Sequence, residues 1–228
     1  MTKTKRHRSD KHLEKQSSKH NFIAVEGPIG VGKTTLAEKL AQTFQGELVN
    51  EHEEQNPFLE RFYQDPKTGA LPAQLFFLFQ RTQQLKKLIQ KDMFIQNRVA
   101  DFLMDKDRLF AQVTLNPDEY KLYEQVYDNL TIDAPRPDLV IYLQAPVDVL
   151  LKRIRKRNQN MEFSITADYL NQLNDAYTQF FHYYNSSPLL IVNASGMDLV
   201  NNEDHYQQLL THIENIKPGR HYFNPVVG

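Results

Sequence analysis

The sequence predicts an α/β fold around a central parallel sheet of about five strands. Two patterns lead there. Short apolar runs recur along the chain, at 21–26, Glu47-Leu48-Val49-Asn50, 94–100, Leu139-Val140-Ile141-Tyr142-Leu143 and Leu189-Leu190-Ile191-Val192, with helical stretches between them. A glycine-rich octet joins the first of these runs to the first helical stretch. Within the first run, Phe22-Ile23-Ala24-Val25 reads as a buried strand. After the octet, Thr35-Leu36-Ala37-Glu38-Lys39-Leu40-Ala41 reads as a helix with Leu36, Leu40 and Ala41 on its apolar side. A further helix is expected at about 72–91, where Leu71, Leu75, Phe76, Leu78, Phe79, Leu85, Leu88 and Ile89 form an apolar stripe. Pro135-Arg136-Pro137-Asp138 punctuates the start of the fourth strand.

Composition narrows the class. A chain of 228 residues suits one domain, and 40% hydrophobic residues suffice for a core. There are no cysteines, which excludes a disulfide scaffold, a thiolate metal site and a cysteine nucleophile. The formal charge of −1 offers no bulk basic field for nucleic acid. No apolar run approaches the ~18 residues of a membrane span, and the N-terminal segment has no apolar stretch of the secretory type. A cytoplasmic protein without membrane or nucleic-acid partners is expected. Residues 1–20 carry seven Lys/Arg against Asp10 and Glu14, leaving a formal −6 on the rest. They read as a disordered basic tail. A nucleic-acid arm or a targeting peptide also fits that charge, although Asp10 and Glu14 speak against a transit peptide.

Residues 27–34 read Gly-Pro-Ile-Gly-Val-Gly-Lys-Thr and fit the phosphate-binding pattern G-x-x-x-x-G-K-[ST] between strand and helix. The glycines let the backbone wrap an anion, and the freed N–H groups and helix N-terminus face it. Gly27, Pro28, Ile29, Gly30, Val31, Gly32, Lys33, Thr34 and Thr35 are therefore the expected nucleotide-binding set. Lys33 supplies a charge to the β/γ oxygens of ATP, and Thr34 a hydroxyl to Mg²⁺.

Two further clusters stand out. Gln74 and Arg81 lie about two helical turns apart and project from one face; on spacing alone, two surface polar residues is the plainer reading. The run Lys152-Arg153-Ile154-Arg155-Lys156-Arg157 ends a helix. Basic residues there either complement the helix dipole or close over a transferring phosphoryl group; beside a phosphate-binding loop the second use is favoured.

Taken in order, these pieces resemble the deoxynucleoside kinases. They are Val25-Glu26-Gly27-Pro28-Ile29-Gly30, Asn50-Glu51-His52-Glu53-Glu54, Asn56-Pro57-Phe58-Leu59-Glu60-Arg61-Phe62-Tyr63, the Gln74 and Arg81 pair, Lys106-Asp107-Arg108-Leu109-Phe110-Ala111, and Arg153-x-x-x-Arg157 with Glu162. The resemblance covers about 21–217 and is greatest to the bacterial branch that includes deoxyguanosine and deoxyadenosine kinases. It implies a P-loop kinase-like three-layer domain over 21–228 with a lid segment, a homodimer, and ATP-dependent 5′-phosphorylation of a deoxyribonucleoside in nucleotide salvage.

It also implies roles. Glu51 resembles the carboxylate that takes the 5′-hydroxyl proton, a task that suits an acid at a strand C-terminal end. Gln74 resembles the amide that pairs with the base, and Arg81 the arginine of the base pocket. Tyr63 and Glu162 resemble the pair on the sugar 3′-hydroxyl. Phe62, Phe76 and Phe77 are candidates for pocket walls, though also for plain core. Lys33, Arg153 and Arg157 are expected to act on the phosphoryl group. The segment Asn193-Ala194-Ser195-Gly196-Met197-Asp198 falls where the family's adenine loop would lie.

Two departures remove positive charge. Where many members carry an acid-Arg-Ser motif, this chain has Ala100-Asp101-Phe102; aligning through Phe110 puts Asp101 at the arginine's position, from which it could reach Mg²⁺ through water. Gln159 replaces a lid arginine. The small-Asp-aromatic form leans toward purine substrates. Two alternatives stand beside this reading: a nucleoside monophosphate kinase of the thymidylate type, which needs extra cations for a substrate phosphate, and a nucleotide-binding regulator without catalysis.

Overall fold

The computed structural model describes residues 20–90, 97–130, 134–157, 165–196 and 202–225, with the side chains of 89 and 90 excepted. The basic tail up to residue 19, Gln159, Glu162, Met197 and Asp198 lie outside the described residues. Among the described residues there are six strands and eight α-helices. The strands are β1 (Phe22–Glu26), β2 (Glu47–Val49), β3 (Arg98–Ala100), β4 (Leu139–Gln144), β5 (Leu189–Asn193) and β6 (Arg220–Phe223). All pair in parallel, in the order β2-β3-β1-β4-β5-β6.

The helices are α1 (Lys33–Thr43), α2 (Leu59–Gln64), α3 (Pro66–Gln90), α4 (Lys106–Thr114), α5 (Pro117–Leu130), α6 (Val147–Arg157), α7 (Ala167–Tyr183) and α8 (Glu203–Glu214). They cover both faces of the sheet, which gives the three layers. Ile23, Val99, Leu139 and Ile141 pack with residues of α1, α6 and α8. On the opposite face, Ala24, Val140 and Tyr142 meet Leu173, Tyr177 and Phe181 of α7, while Val49 and Ala100 meet Leu78 and Leu85 of α3. A parallel strand buried on both sides reads as a continuous apolar run, as β1 and β4 do. Each fully buried Leu or Ile contributes about 1.5–3 kcal/mol.

Local chemistry fixes the boundaries. Asp138 Oδ2 accepts from the backbone N–H of Asn21 and Phe22 (2.9 and 3.0 Å), pinning the start of β1 beside β4. Asn116 Oδ1 accepts from Asp118 N and Glu119 N, and Glu119 Oε2 accepts from Asn116 N, a reciprocal cap ahead of Pro117. Thr166 caps α7 through Tyr169 N at 3.2 Å.

The structure differs from the sequence reading in three places. β6 is a sixth strand, at the sheet edge, with alternate residues exposed and no apolar run to announce it. Of the predicted run 94–100, residues 94–96 lie outside the described residues, Asn97 precedes the strand, and Arg98–Ala100 forms it. The long helix begins at Pro66, and its stripe is imperfect, with Phe79 47% exposed.

The start of α3 is held by a close approach. A Cβ at Gly69 would lie 2.5 Å from both Cα and N of Phe62 in α2. Gly69→Ala is expected to cost about 1–3 kcal/mol through overpacking, read as a lower urea midpoint with an unchanged slope. An unchanged midpoint would show that the two helices separate freely.

Candidate active site

The strand order reverses around β1, and a cavity of about 300 Å³ opens at the C-terminal ends of β1, β2 and β3. Open α/β sheets gather ligands at that place. The residues that follow each strand supply its polar groups.

After β1 comes the glycine-rich loop. Ile29, Gly30, Gly32, Lys33, Thr34 and Thr35 line the cavity, whereas Gly27, Pro28 and Val31 are buried behind it. Gly30 has φ +80, and a Cβ there would meet Ile154 Cγ1 of α6 at 2.7 Å. Backbone conformation and α6 both demand glycine. The Lys33 ammonium donates to Gly27 O and Pro28 O at 2.9 and 3.3 Å. Burial, then the neighbouring Lys106 charge, lowers its pKa to about 8.

After β3 comes Asp101, 2% exposed. Its Oδ2 accepts from the Thr34 hydroxyl at 2.6 Å, and its Oδ1 accepts from Glu51 N at 2.8 Å. One carboxylate thus ties the loop after β1 to the end of β2. Thr34 and Asp101 together present a hydroxyl and a carboxylate. Among the described residues no group of three or more His, Cys, Asp or Glu could hold a metal ion.

After β2 comes Glu51, 8% exposed. One oxygen pairs with the Arg81 guanidinium, and Oε2 lies 2.9 Å from the Lys106 ammonium. Arg81 also pairs with Asp107, stacks 4.8 Å from the Phe77 ring centroid, and is 3% exposed. Burial lowers its pKa to about 10, so it stays cationic at neutral pH. Lys106 has its pKa lowered to about 8 by burial, against the pull of Glu26, Asp101 and Glu53 and with the push of Arg81.

The far end of the cavity is less charged. Gln74 is 3% exposed, and its Nε2 donates to the Thr114 hydroxyl at 3.4 Å. Thr114 in turn donates to Phe110 O at 2.7 Å. Phe62, Tyr63, Phe77, Phe110 and Tyr169 line the same space, the Tyr169 ring edge-on to Phe62 at 6.0 Å. Asn56 holds α2 against α3 by donating to Ala73 O at 3.1 Å.

Most of the predicted residues therefore converge. Lys33, Thr34, Glu51, Tyr63, Gln74, Arg81, Asp101 and Arg157 share one cavity. The plainer reading of Gln74 and Arg81 as surface residues is overturned, since both side chains are buried. Of the aromatic candidates, Phe62 and Phe77 line the cavity, and Phe76 instead packs edge-on to Phe58.

The two arginines expected of a lid separate. Arg157 reaches the cavity and pairs with Glu53 at 3.1 Å. Arg153 does not line it; its guanidinium donates to Val31 O (3.1 Å) and Ala194 O (2.7 Å), bracing α6 between the glycine-rich loop and the segment after β5. Lys106, Phe110 and Tyr169 went unassigned from sequence. The one available signal was Lys106 itself, a cation where the helix dipole disfavours one.

Comparison with known proteins matches this arrangement. The family model for deoxynucleoside kinases matches residues 23–217. The chain is 36% identical over 202 residues to the deoxyguanosine kinase of Bacillus subtilis, across 86% of this chain and 97% of that protein. It is 31% identical over 206 residues to the deoxyadenosine kinase of Lactobacillus acidophilus, across 84% and 94%. The solved structure of the deoxyadenosine kinase from M. mycoides with bound dATP superposes with a TM-score of 0.74 at 26% identity, covering 85% of this chain and 99% of that one. With a phosphate-binding loop, a buried acid and a polar pocket in one cavity, and these relatives along nearly its whole length, the chain belongs to the deoxynucleoside kinase family, enzymes that phosphorylate deoxynucleosides.

Proposed function

We propose that this kinase transfers the γ-phosphoryl group of ATP to the 5′-hydroxyl of a purine deoxyribonucleoside, acting in nucleotide salvage in the cytoplasm. One observation carries the reading. The buried Glu51 carboxylate sits in the same cavity as the phosphate-binding loop on one side and the Gln74 amide on the other. The names of the B. subtilis and L. acidophilus relatives support a purine.

Each side chain then has a task. Glu51 accepts the 5′-hydroxyl proton, since a sugar hydroxyl is a weak nucleophile until a base within hydrogen-bond reach takes its proton. Lys33 and Arg157 balance charge on the phosphoryl oxygens. Arg153 keeps α6 docked on the loop after β1, acting through position rather than contact. Gln74 pairs with the base edge through its donor and acceptor, and Asp107 fixes Arg81 beside it. Tyr63 holds the sugar, with Glu162 as its expected partner. Thr34 and Asp101 fit Mg²⁺, which usually takes one or two protein groups plus substrate phosphates. Held there, Mg²⁺ would supply positive charge to the phosphate oxygens. A homodimer is proposed through the groove of α4, α5 and α7, where Tyr183 stands 74% exposed; sedimentation that finds only monomer would overturn it.

The test is turnover with ATP and Mg²⁺ on the four deoxyribonucleosides and their monophosphates. The highest kcat/KM is expected on deoxyguanosine or deoxyadenosine. Glu51→Gln is expected to lower kcat by about 10²- to 10⁴-fold with little change in KM. A pyrimidine preference would remove the substrate reading, and an active Glu51→Gln enzyme would remove the base. Gln74→Ala leaves the base edge unpaired and is expected to lower kcat/KM about 10- to 100-fold, mostly through KM. Unchanged KM for the nucleoside would show that Gln74 does not touch it.

A further inference from the structure

Glu51 carries a second cation, and that cation is in an unfavourable place. Lys106 is the first residue of α4, and it is 4% exposed. The helix dipole and the loss of hydration both oppose a positive charge there. Packing does not call for an ammonium, because a methionine would fill similar space without that desolvation. Yet the group meets Glu51 Oε2 at 2.9 Å, lies 5.5 Å from the Phe110 ring centroid, and lines the cavity with Lys33, Thr34 and Asp101. The end of β3 offers no cation of its own, since Phe102 follows Asp101 and is 1% exposed. The lysine that opens α4 supplies one to the cavity instead.

We propose that Lys106 is a positioning residue for phosphoryl transfer, holding one oxygen of the Glu51 carboxylate while Arg81 holds the other. The inference rests on the reading of Glu51 as the base. In the step, the 5′ O–H bond breaks and its proton passes to Glu51. The freed electron pair on the 5′ oxygen forms the bond to the γ-phosphorus. The bond from that phosphorus to the bridging oxygen breaks, and its pair leaves on ADP. Two fixed cations leave the carboxylate a single orientation in which to receive the proton. Once protonated, Glu51 is neutral, and the Lys106 charge is no longer spent on it. Its field then falls on the phosphoryl oxygens, without any group having to move far.

The charged groups facing Lys106 come from several elements: Glu26 at the end of β1, Asp101 after β3, Glu53 after β2, Arg81 on α3 and Lys33 on α1. Loss of the Lys106 charge also lets the Lys33 pKa rise, which acts on the basic limb, so the acid limb is the part of the profile that reports Glu51.

The experiment is steady-state kinetics of the full chain with ATP, Mg²⁺ and its best deoxynucleoside, from about pH 5 to about pH 9. Lys106→Met is expected to lower kcat about tenfold or more, with KM values within about threefold. Its acid limb is expected to move up by about one pH unit, because a proton competes better for a carboxylate that has lost a cation. Lys106→Arg keeps the charge, so it is expected to keep the acid limb and recover much of kcat. A purely structural lysine would lower thermal stability and leave the limb in place. The proposal is overturned by a Met variant with kcat within about twofold of the parent and an unmoved limb. An Arg variant as slow and as shifted as the Met variant also overturns it. If Lys106→Met does not fold, judged by circular dichroism, Lys106→Gln takes its place in the same comparison. Glu51→Gln run in parallel separates the two failures: if it stays active the base reading falls, and if it is inactive while the Lys106 variants behave normally, only this inference falls.

Discussion

Glu26, the last residue of β1, is fully buried and is met by three donors. Its Oε1 accepts from Gly27 N and from the Tyr177 hydroxyl, both at 2.8 Å, and its Oε2 accepts from Leu103 N at 2.8 Å. A buried carboxylate without such partners would cost several kcal/mol. The three donors come from the glycine-rich loop, from α7 and from the turn that leads into α4. Satisfying one charge therefore fixes the positions of three segments. The same charge favours the cationic forms of Lys33, Arg81 and Lys106. With Glu51, which pairs with Arg81 and Lys106, and Asp107, which pairs with Arg81, this acid offsets part of the cost of burying the cations of the site.

Asp101 repeats the device nearer the surface of the site. It binds the Thr34 hydroxyl and Glu51 N, so the loop and the proposed base are held at a set separation. α6 adds the third constraint. Ile154 sits against Gly30, Arg153 donates to the Val31 and Ala194 carbonyls, and Arg157 pairs with Glu53 at the cavity. Ile154 and Arg153 are thus packed and hydrogen-bonded, while the Arg157 ion pair with Glu53 at the end of α6 is about two-fifths exposed at each partner, a contact of modest strength.

How much of this was legible follows from which signals are periodic. The octet was readable as a motif, and β1, β4 and β5 because both faces of a parallel sheet are buried and leave continuous apolar runs; β2, at one edge, showed only Leu48-Val49. β6 was not readable, because an edge strand with alternate residues exposed carries no such run. Spacing placed Gln74 and Arg81 on one helix face, but it does not say which face turns inward. In α3 the polar cavity takes the place of core, so Arg81 is buried and Phe79 is exposed, the reverse of what hydropathy suggests. Lys106 and Asp107 are adjacent charges and look like a solvated helix start until the fold folds both inward. Arg153 and Arg157 read as one basic run, and only their hydrogen bonds distinguish the brace from the cavity residue.

Arg81 joins two buried carboxylates through one rigid fork. One side of the guanidinium holds Asp107, the other holds Glu51, and both contacts are buried. On the proposed roles of Arg81 and Glu51, choice of nucleobase and speed of proton removal are then not independent variables. A change at Asp107 that altered the base pocket would also release Arg81, and with it one of the two holds on Glu51. On the proposed roles, new base preferences are reached more cheaply around Gln74, which lines the cavity, and Thr114, which accepts from Gln74, since among the described residues no hydrogen bond or ion pair joins either to Glu51. In a lineage drifting between nucleosides, variation is expected to collect at that end of the cavity, while the Arg81 fork stays in place.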